Sequence, residues 1–328
     1  MKKLAAILLC LALVAGVLTG CGAEKEGLTK IKISEVAHSV FYAPQYVAMS
    51  QGFFEEEGLE VELLNGGGAD KVMTSVLTGE VQIGLAGPEA CIYVHLEGSE
   101  DAPKVFAQLT NCDGAFLVGR NEEDFSWENL RGKTIIGGRK GGVPEMTLEY
   151  VMKQNGVVPQ VDAVVDTSVQ FNMMAGAFTG GNGDYVALFE PTATEVELAG
   201  QGYVLCSIGE ESGEIPYTAY FASQSYLKDH ADVAQKFTNA IAKGQRWVEN
   251  HTDLEVAQAV ADQFPDTDLS VLEQVSARYR AINAWKTVPT MESEDFDRLM
   301  DVMEEAGELE ARVDFDKFVT NEFAEKAP

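Results

Sequence analysis

The strongest constraint on the fold is an alternation of strand-like and helix-like segments that runs once, pauses near Asn111 and runs again. Residues 30–36 alternate polar and apolar, with Ile31 and Ile33 set against Lys30 and Lys32, which is the period of a strand. Residues 42–51 read as a helix stopped at Gly52, and residues 59–64 as a second strand. The triplet Gly66-Gly67-Gly68 makes a tight loop before a helix over 70–78, which Gly79 ends. A third strand is expected over 81–85, a helix from Pro88 to about Leu96, and a fourth strand over 105–109. After Asn111 the order repeats. Strands are predicted at 116–118, 133–137, 163–165, 185–188 and 203–206. Helices are predicted at 145–154, near Pro144, at 169–178, and from Pro191 to about Leu198. Residues 217–222 read as extended, and 233–323 as almost wholly helical. Short connections between alternating elements predict an α/β fold with parallel sheets and helices on both faces, built as two similar lobes.

The amino terminus fixes where such a body works. Lys2 and Lys3 precede an apolar run from Leu4 to Gly20, and Leu18-Thr19-Gly20-Cys21 resembles a bacterial lipobox. That resemblance implies a signal peptide over 1–20, cleavage before Cys21, a lipid thioether on Cys21 and a polar tether over 21–27. The expected location is the outer face of the cell membrane, or the periplasmic side, anchored and not spanning. The competing reading is an uncleaved anchor, but the run is at the short end of the spanning range and lacks a basic stop-transfer flank. With 24 Lys and Arg against 52 Asp and Glu, the formal charge is −28. Nucleic acid is excluded as a partner, since phosphate binding needs clustered cations. Anionic lipid would repel this surface, so the lipid on Cys21 is the expected membrane contact. Cys91, Cys112 and Cys206 have neither CxxC nor metal spacing, so no metal and no cofactor is expected. They allow one disulfide, or simple buried packing for each. No Ser-His-Asp or HExxH pattern points to catalysis.

Three stretches are similar to those of a known family. One is His38-Ser39-Val40-Phe41-Tyr42-Ala43-Pro44-Gln45-Tyr46-Val47-Ala48, continuing at Gly52-Phe53-Phe54 and Gly58-Leu59-Glu60-Val61. The second is Gly79-Glu80-Val81-Gln82-Ile83-Gly84 with the small-residue loop Ala86-Gly87-Pro88-Glu89. The third is Leu130-Arg131-Gly132-Lys133-Thr134-Ile135. Together they resemble the NMT1/THI5-like solute-binding lipoproteins of ABC importers, a group that serves aliphatic sulfonates, taurine, nitrate and thiamin pyrimidine precursors. The resemblance implies a type II periplasmic-binding-protein fold with a ligand cleft. Lobe I would be 28–113 plus 222–328 and lobe II 114–221, hinged at 111–115 and 217–222. It implies a monomer whose partners are a small solute and the permease and ATPase subunits of an importer. The group's pyrimidine synthase branch uses a cysteine-rich iron loop, which this chain lacks, so a non-enzyme is expected. A sensor or partner-binding surface lipoprotein is the alternative of another class.

Ligands of open α/β sheets sit outside the carboxyl ends of strands, so the loops there supply the candidates. After the first strand these are His38, Phe41, Tyr42 and Gln45, whose aromatics either stack on a flat ring or pack under the first helix. Gly67, Gly87, Pro88 and Glu89 begin helices, and Asn111 lies at the first hinge crossing. The loop Gly137-Gly138-Arg139-Lys140-Gly141-Gly142-Val143-Pro144-Glu145 is the richest. Its amides near Gly141 and Gly142, with Arg139, would suit an anion, although Glu145 would repel one. Glu190 follows a strand, and Glu89 with Glu190 would suit an N–H-rich heterocycle, because carboxylates only accept. Tyr217 at the second crossing could close the cleft with its hydroxyl. The leading ligand is thus a thiamin pyrimidine precursor or similar N-heterocycle, and the alternative a sulfonate, taurine or nitrate-type anion.

Overall fold

The computed structural model describes residues 27–328, so the signal segment, Cys21 and the tether before Gly27 lie outside the described residues. Ten strands follow in chain order: β1 (Thr29–Glu35), β2 (Leu59–Asn65), β3 (Ile83–Ala86), β4 (Lys104–Gln108), β5 (Ala115–Gly119), β6 (Thr134–Ile136), β7 (Val164–Asp166), β8 (Tyr185–Phe189), β9 (Tyr203–Ser207) and β10 (Ala219–Ala222). They form two five-stranded sheets, in the orders β2-β1-β3-β10-β4 and β7-β6-β8-β5-β9. β1 pairs with β2 in parallel from Thr29 opposite Leu59 to Glu35 opposite Asn65. Every residue of β3, β5, β8 and β10 is buried, as strands covered on both faces must be, which is why they read as unbroken apolar runs.

Neither sheet is purely parallel. β10 runs antiparallel to β3 and β4, and β5 runs antiparallel to β8 and β9. The odd strand of each sheet is the first that the chain enters on coming over from the other sheet. The two crossings lie side by side. The Leu109 and Thr110 amides donate to the Thr218 carbonyl, and the Thr218 amide donates to Thr110 Oγ1 at 2.9 Å.

The carboxyl-terminal third holds helices Ala231–Asn250, Asp253–Val260, Leu269–Ala281 and Ser293–Glu305, with a short one at Phe315–Phe318. It is less helical than the sequence suggests. Asn283 adopts the left-handed conformation at φ 53°, and no helix resumes before Ser293, beyond Pro289, a residue that cannot continue a helix. This stretch straps the first crossing. The Asn111 amide donates to the Ala284 carbonyl, the Gln108 amide to the Pro289 carbonyl, and Trp285 Nε1 to the Phe41 carbonyl. The predicted helix at 169–178 likewise starts with a 3-10 turn at Phe171–Met173 and becomes α-helical only over Met174–Thr179.

Candidate functional site

A cleft opens between the carboxyl ends of the two sheets. One wall carries Val36, Tyr42, Gly67, Asp70, Gly87 and Glu89, and the other Gly138, Arg139, Gly142, Val143 and Phe189, with Tyr217 and Thr218 from the second crossing. Its surface mixes aromatic rings with a few buried polar groups, the usual make-up of a small-molecule site.

Glu89 is the first residue of the helix Glu89–Leu96, and its side chain is 1% exposed. Oε1 accepts from the Val143 amide across the cleft at 3.3 Å, and Oε2 has no hydrogen-bond partner among the described residues. Burial pushes the carboxyl up to about 7, against the pull of the Val143 amide and of Arg139. The carboxylate fits because Gly87 has no side chain. A Cβ there would lie 2.0 Å from Glu89 Oε2. The Tyr42 and Tyr217 hydroxyls are also buried and without a partner among the described residues. Burial raises both well out of the physiological range, so both are phenols that can donate. Among the buried groups of the cleft, Glu89 therefore offers a carboxyl oxygen, and Tyr42 and Tyr217 offer hydroxyls, that the protein leaves unmatched among the described residues.

The glycine loop before the helix Val143–Gln154 is arranged differently from an anion cradle. Glu145 turns back and accepts from the Gly141 amide at 3.0 Å, while Glu89 takes the Val143 amide. Two carboxylates of the protein thus sit on the amides that an anion would need. Burial, and next Glu149, push Glu145 up to about 7. Arg139 stands at the cleft mouth with Nε 3.9 Å from Asp70 Oδ1, both side chains well exposed. Gly141 is in the left-handed region at φ 72°, and its carbonyl accepts from Tyr93.

Of the expected residues, Tyr42, Gly67, Gly87, Glu89, Arg139, Gly142 and Tyr217 line this cleft. Pro88 caps the helix that carries Glu89, and Gly141 and Glu145 lie just behind the wall. The others are elsewhere. Phe41 is a fully buried ring between Tyr42, Phe189, Tyr217 and Tyr279. Gln45 donates to Glu35 and accepts from Tyr220, each at 2.9 Å. Asn111 donates to Glu214 at 3.3 Å. Glu190 accepts from the Thr194 amide and hydroxyl and from Arg278 at 2.7 Å, so its lone pairs serve the fold. His38 lies in an adjoining recess with both nitrogens engaged, Nδ1 with Glu35 at 2.6 Å and Nε2 with the Gln263 carbonyl. The hydrogen bond to Glu35 raises the imidazole above its ordinary value.

Sequence reasoning passed over Val36, Asp70, Phe171 and Phe189 on the cleft surface. Phe189 could have been found from its place beside Glu190 at a strand's end; Phe171 sits on a turn that reads as helix interior. Cys91, Cys112 and Cys206 are free thiols, and among the described residues no His, Cys, Asp and Glu group is arranged to hold a metal ion. Among the described residues no helix is long and apolar enough to cross a membrane.

Known proteins share this build. YtlA of Bacillus subtilis, named as a candidate binding protein, is 45% identical over 304 residues, covering 92% of this chain and 91% of that protein. Among solved structures, the alkanesulfonate-binding protein SsuA of Xanthomonas axonopodis pv. citri, bound to MOPS, superposes with a TM-score of 0.73 at 15% identity, covering 91% of this chain and 99% of that one. The periplasmic nitrate-binding protein NrtA of Synechocystis PCC 6803 gives a TM-score of 0.72 at 16% identity, covering 90% and 87%. These likenesses establish the periplasmic-binding-protein fold, two α/β lobes facing a cleft. Residues 40–253 match the family described as NMT1/THI5 like, and this chain belongs to that family.

Proposed function

We propose that the protein is the extracytoplasmic solute-binding component of an ABC importer, tethered by lipid on Cys21. Its solute would be a small, flat heterocycle bearing N–H donors, of the thiamin pyrimidine precursor type. The observation that carries this reading is Glu89, a buried carboxyl on the cleft wall with one oxygen unpartnered among the described residues. A buried acceptor left unmatched costs about 1–3 kcal/mol, which an N–H donor on a ligand would recover. Phe189 and Phe171 offer ring faces for a flat ligand. Against an oxyanion stand the two carboxylates already seated on the Gly141 and Val143 amides. Glu190 is not part of the proposed acceptor set, because Thr194 and Arg278 take its oxygens. Solute binding would close the lobes about the two crossings and present a closed shape to the permease.

A thermal-shift and calorimetry panel of aminopyrimidines, taurine, alkanesulfonates and nitrate tests this reading. A specific ligand at 100 times its dissociation constant adds about 2.7 kcal/mol of stability. The expected result is a shift with an aminopyrimidine that Glu89→Gln removes and Arg139→Ala leaves. A shift with sulfonates alone, lost in Arg139→Ala, would move the assignment to the anion. Mass spectrometry of the membrane-extracted protein should find the lipid on Cys21, and Cys21→Ala should release the protein from the membrane fraction.

A further inference from the structure

Tyr93 stands outside the cleft lining, yet it reaches across to the same loop as Glu89. Four residues apart on the helix Glu89–Leu96, the two side chains share one helix face. That helix follows β3 of one sheet, and the loop it meets follows β6 of the other. The Tyr93 hydroxyl donates to the Gly141 carbonyl at 2.9 Å, and the Val143 amide donates to Glu89 Oε1 at 3.3 Å. The hydroxyl also lies 3.8 Å from Met146 Sδ, on the helix that this loop begins. Gly141 is held from its other side as well, since its amide donates to Glu145 at 3.0 Å. A Cβ on Gly141 would lie 3.1 Å from Glu308 Oε2 and 3.4 Å from the Tyr93 hydroxyl, so the loop is enclosed where Tyr93 grips it. The charged groups around this clasp are Glu89, Arg139, Glu145 and Glu308.

We propose that Tyr93 is a positioning residue for solute binding. It anchors the Gly141 carbonyl so that the Val143 amide, two residues on, fixes one oxygen of Glu89 and leaves the other to the solute. This inference rests on the reading of Glu89 as the solute's acceptor. A glutamate side chain has several rotamers, and the amide on Oε1 selects one of them. An acceptor oriented in advance loses less freedom when the solute arrives, which is affinity gained by preorganisation. The amide can do this only if the loop carrying it is itself held, and the bonds to the Gly141 peptide from Tyr93 and Glu145 hold it. The helix and the loop belong to different sheets, so the Tyr93 bond is made with the lobes shut, whereas a solute enters with the lobes apart. The hydroxyl therefore acts on the solute's escape and not on its entry.

The experiment compares the wild type with Tyr93→Phe, which keeps the ring and removes the donor. Calorimetry and stopped-flow fluorescence follow binding of 4-amino-2-methylpyrimidine, and carboxyl-carbon NMR follows the ligand-free protein. Tyr93→Phe should raise the dissociation rate about threefold to tenfold, the range for one hydrogen bond between neutral groups, and leave the association rate within about twofold. In NMR, the Glu89 carboxyl, assigned by its loss in Glu89→Gln, should titrate higher in Tyr93→Phe than in the wild type, because the Val143 amide pulls it down. A Tyr93 that serves only the packing of its own helix would lower the melting temperature of Tyr93→Phe. It would leave the dissociation rate and the Glu89 titration as in the wild type, which overturns the proposal. A Glu89 titration that moves down, toward the ordinary 4.5, overturns it too, since water would then reach a carboxyl that the hydroxyl had shielded merely by holding the lobes together. If the pyrimidine gives no heat with the wild type, the heterocycle reading falls, and the direction of the Glu89 shift alone decides whether Tyr93 positions that carboxyl.

Discussion

Glu89 shows how one buried residue depends on a neighbour that has no side chain. Its carboxyl occupies the volume where Gly87 would carry a Cβ, 2.0 Å from Oε2, and Val143 Cγ2 would be 2.9 Å from the same atom. Gly87 is not in the left-handed region, so alanine meets no backbone penalty there and acts only through this contact. Gly87→Ala should therefore push the Glu89 carboxylate off its place and disconnect it from the Val143 amide. The expected outcome is a loss of aminopyrimidine affinity of about tenfold to a hundredfold, the range for losing a hydrogen bond to a charged group. Glu89→Gln should lose a comparable amount, with the two changes far from additive, because both remove one interaction. Calorimetry on the two single variants and the double variant checks this. Additive losses would mean that Gly87 acts by some route other than Glu89.

At the scale of elements, the packing of helix on helix decides a case that propensity alone gets wrong. Gly244 lies inside the helix Ala231–Asn250, where glycine is about 1 kcal/mol worse than alanine. Propensity thus predicts that Gly244→Ala stabilises. The helix Ala43–Ser50 crosses at this point, however, and a Cβ would lie 2.2 Å from the Pro44 carbonyl oxygen and 3.1 Å from Ala48 Cβ. Backbone cannot yield as a flexible side chain would, and overpacking typically costs about 1–3 kcal/mol. Gly244→Ala should lower the melting temperature, and a rise would show that the two helices can part without loss. The same division between local and distant causes explains what the sequence could and could not reveal. The strands are legible because β1 alternates and β8 is continuously apolar, both local patterns. The Val143–Gln154 helix is legible from Pro144 and its glycine loop. The Trp285 strap is not, because its hydrogen bonds go to Phe41 and to residues near Asn111, far away in the chain. Glu89 and Glu190 look equivalent in sequence, each an acid at a helix start beside proline. Arg278, 88 residues further on, is what separates them, by binding Glu190.

For the whole molecule, the two lobes meet through polar contacts, some beside buried acids and some at the surface. Ser39 Oγ donates to the Glu190 carbonyl, Tyr93 to the Gly141 carbonyl, the Val143 amide to Glu89, and Lys153 to the Glu305 carbonyl. Burial is the largest influence on Glu35, Glu89 and Asp113, and all three are raised above their ordinary values. The folded protein therefore holds these protons more tightly than the unfolded chain does. For such groups the stabilisation is complete below the unfolded value and is lost as pH rises through the folded one. The window runs from the ordinary values, 4.5 for Glu89 and 3.8 for Asp113, up to about 7 and about 8. Within it each group makes stability fall by as much as about 1.4 kcal/mol per pH unit. The ligand-free protein should accordingly melt at progressively lower temperature from pH 5 to 8, the reverse of the usual acid denaturation of salt-bridged carboxylates. The surface charge of −28 pushes in the same direction, since repulsion grows as acids ionise. Salt separates the two causes, because the Debye length shrinks to about 3 Å at 1 M and leaves buried groups much less screened. Melting curves of the wild type and the Glu89→Gln, Asp113→Asn double variant at high salt test the assignment. A steep fall in the wild type and a shallow one in the double variant would place the pH sensitivity in the cleft and the crossing behind it. Equal slopes in both would place it on the surface, and Glu89 and Asp113 would then have ordinary acidities despite their burial.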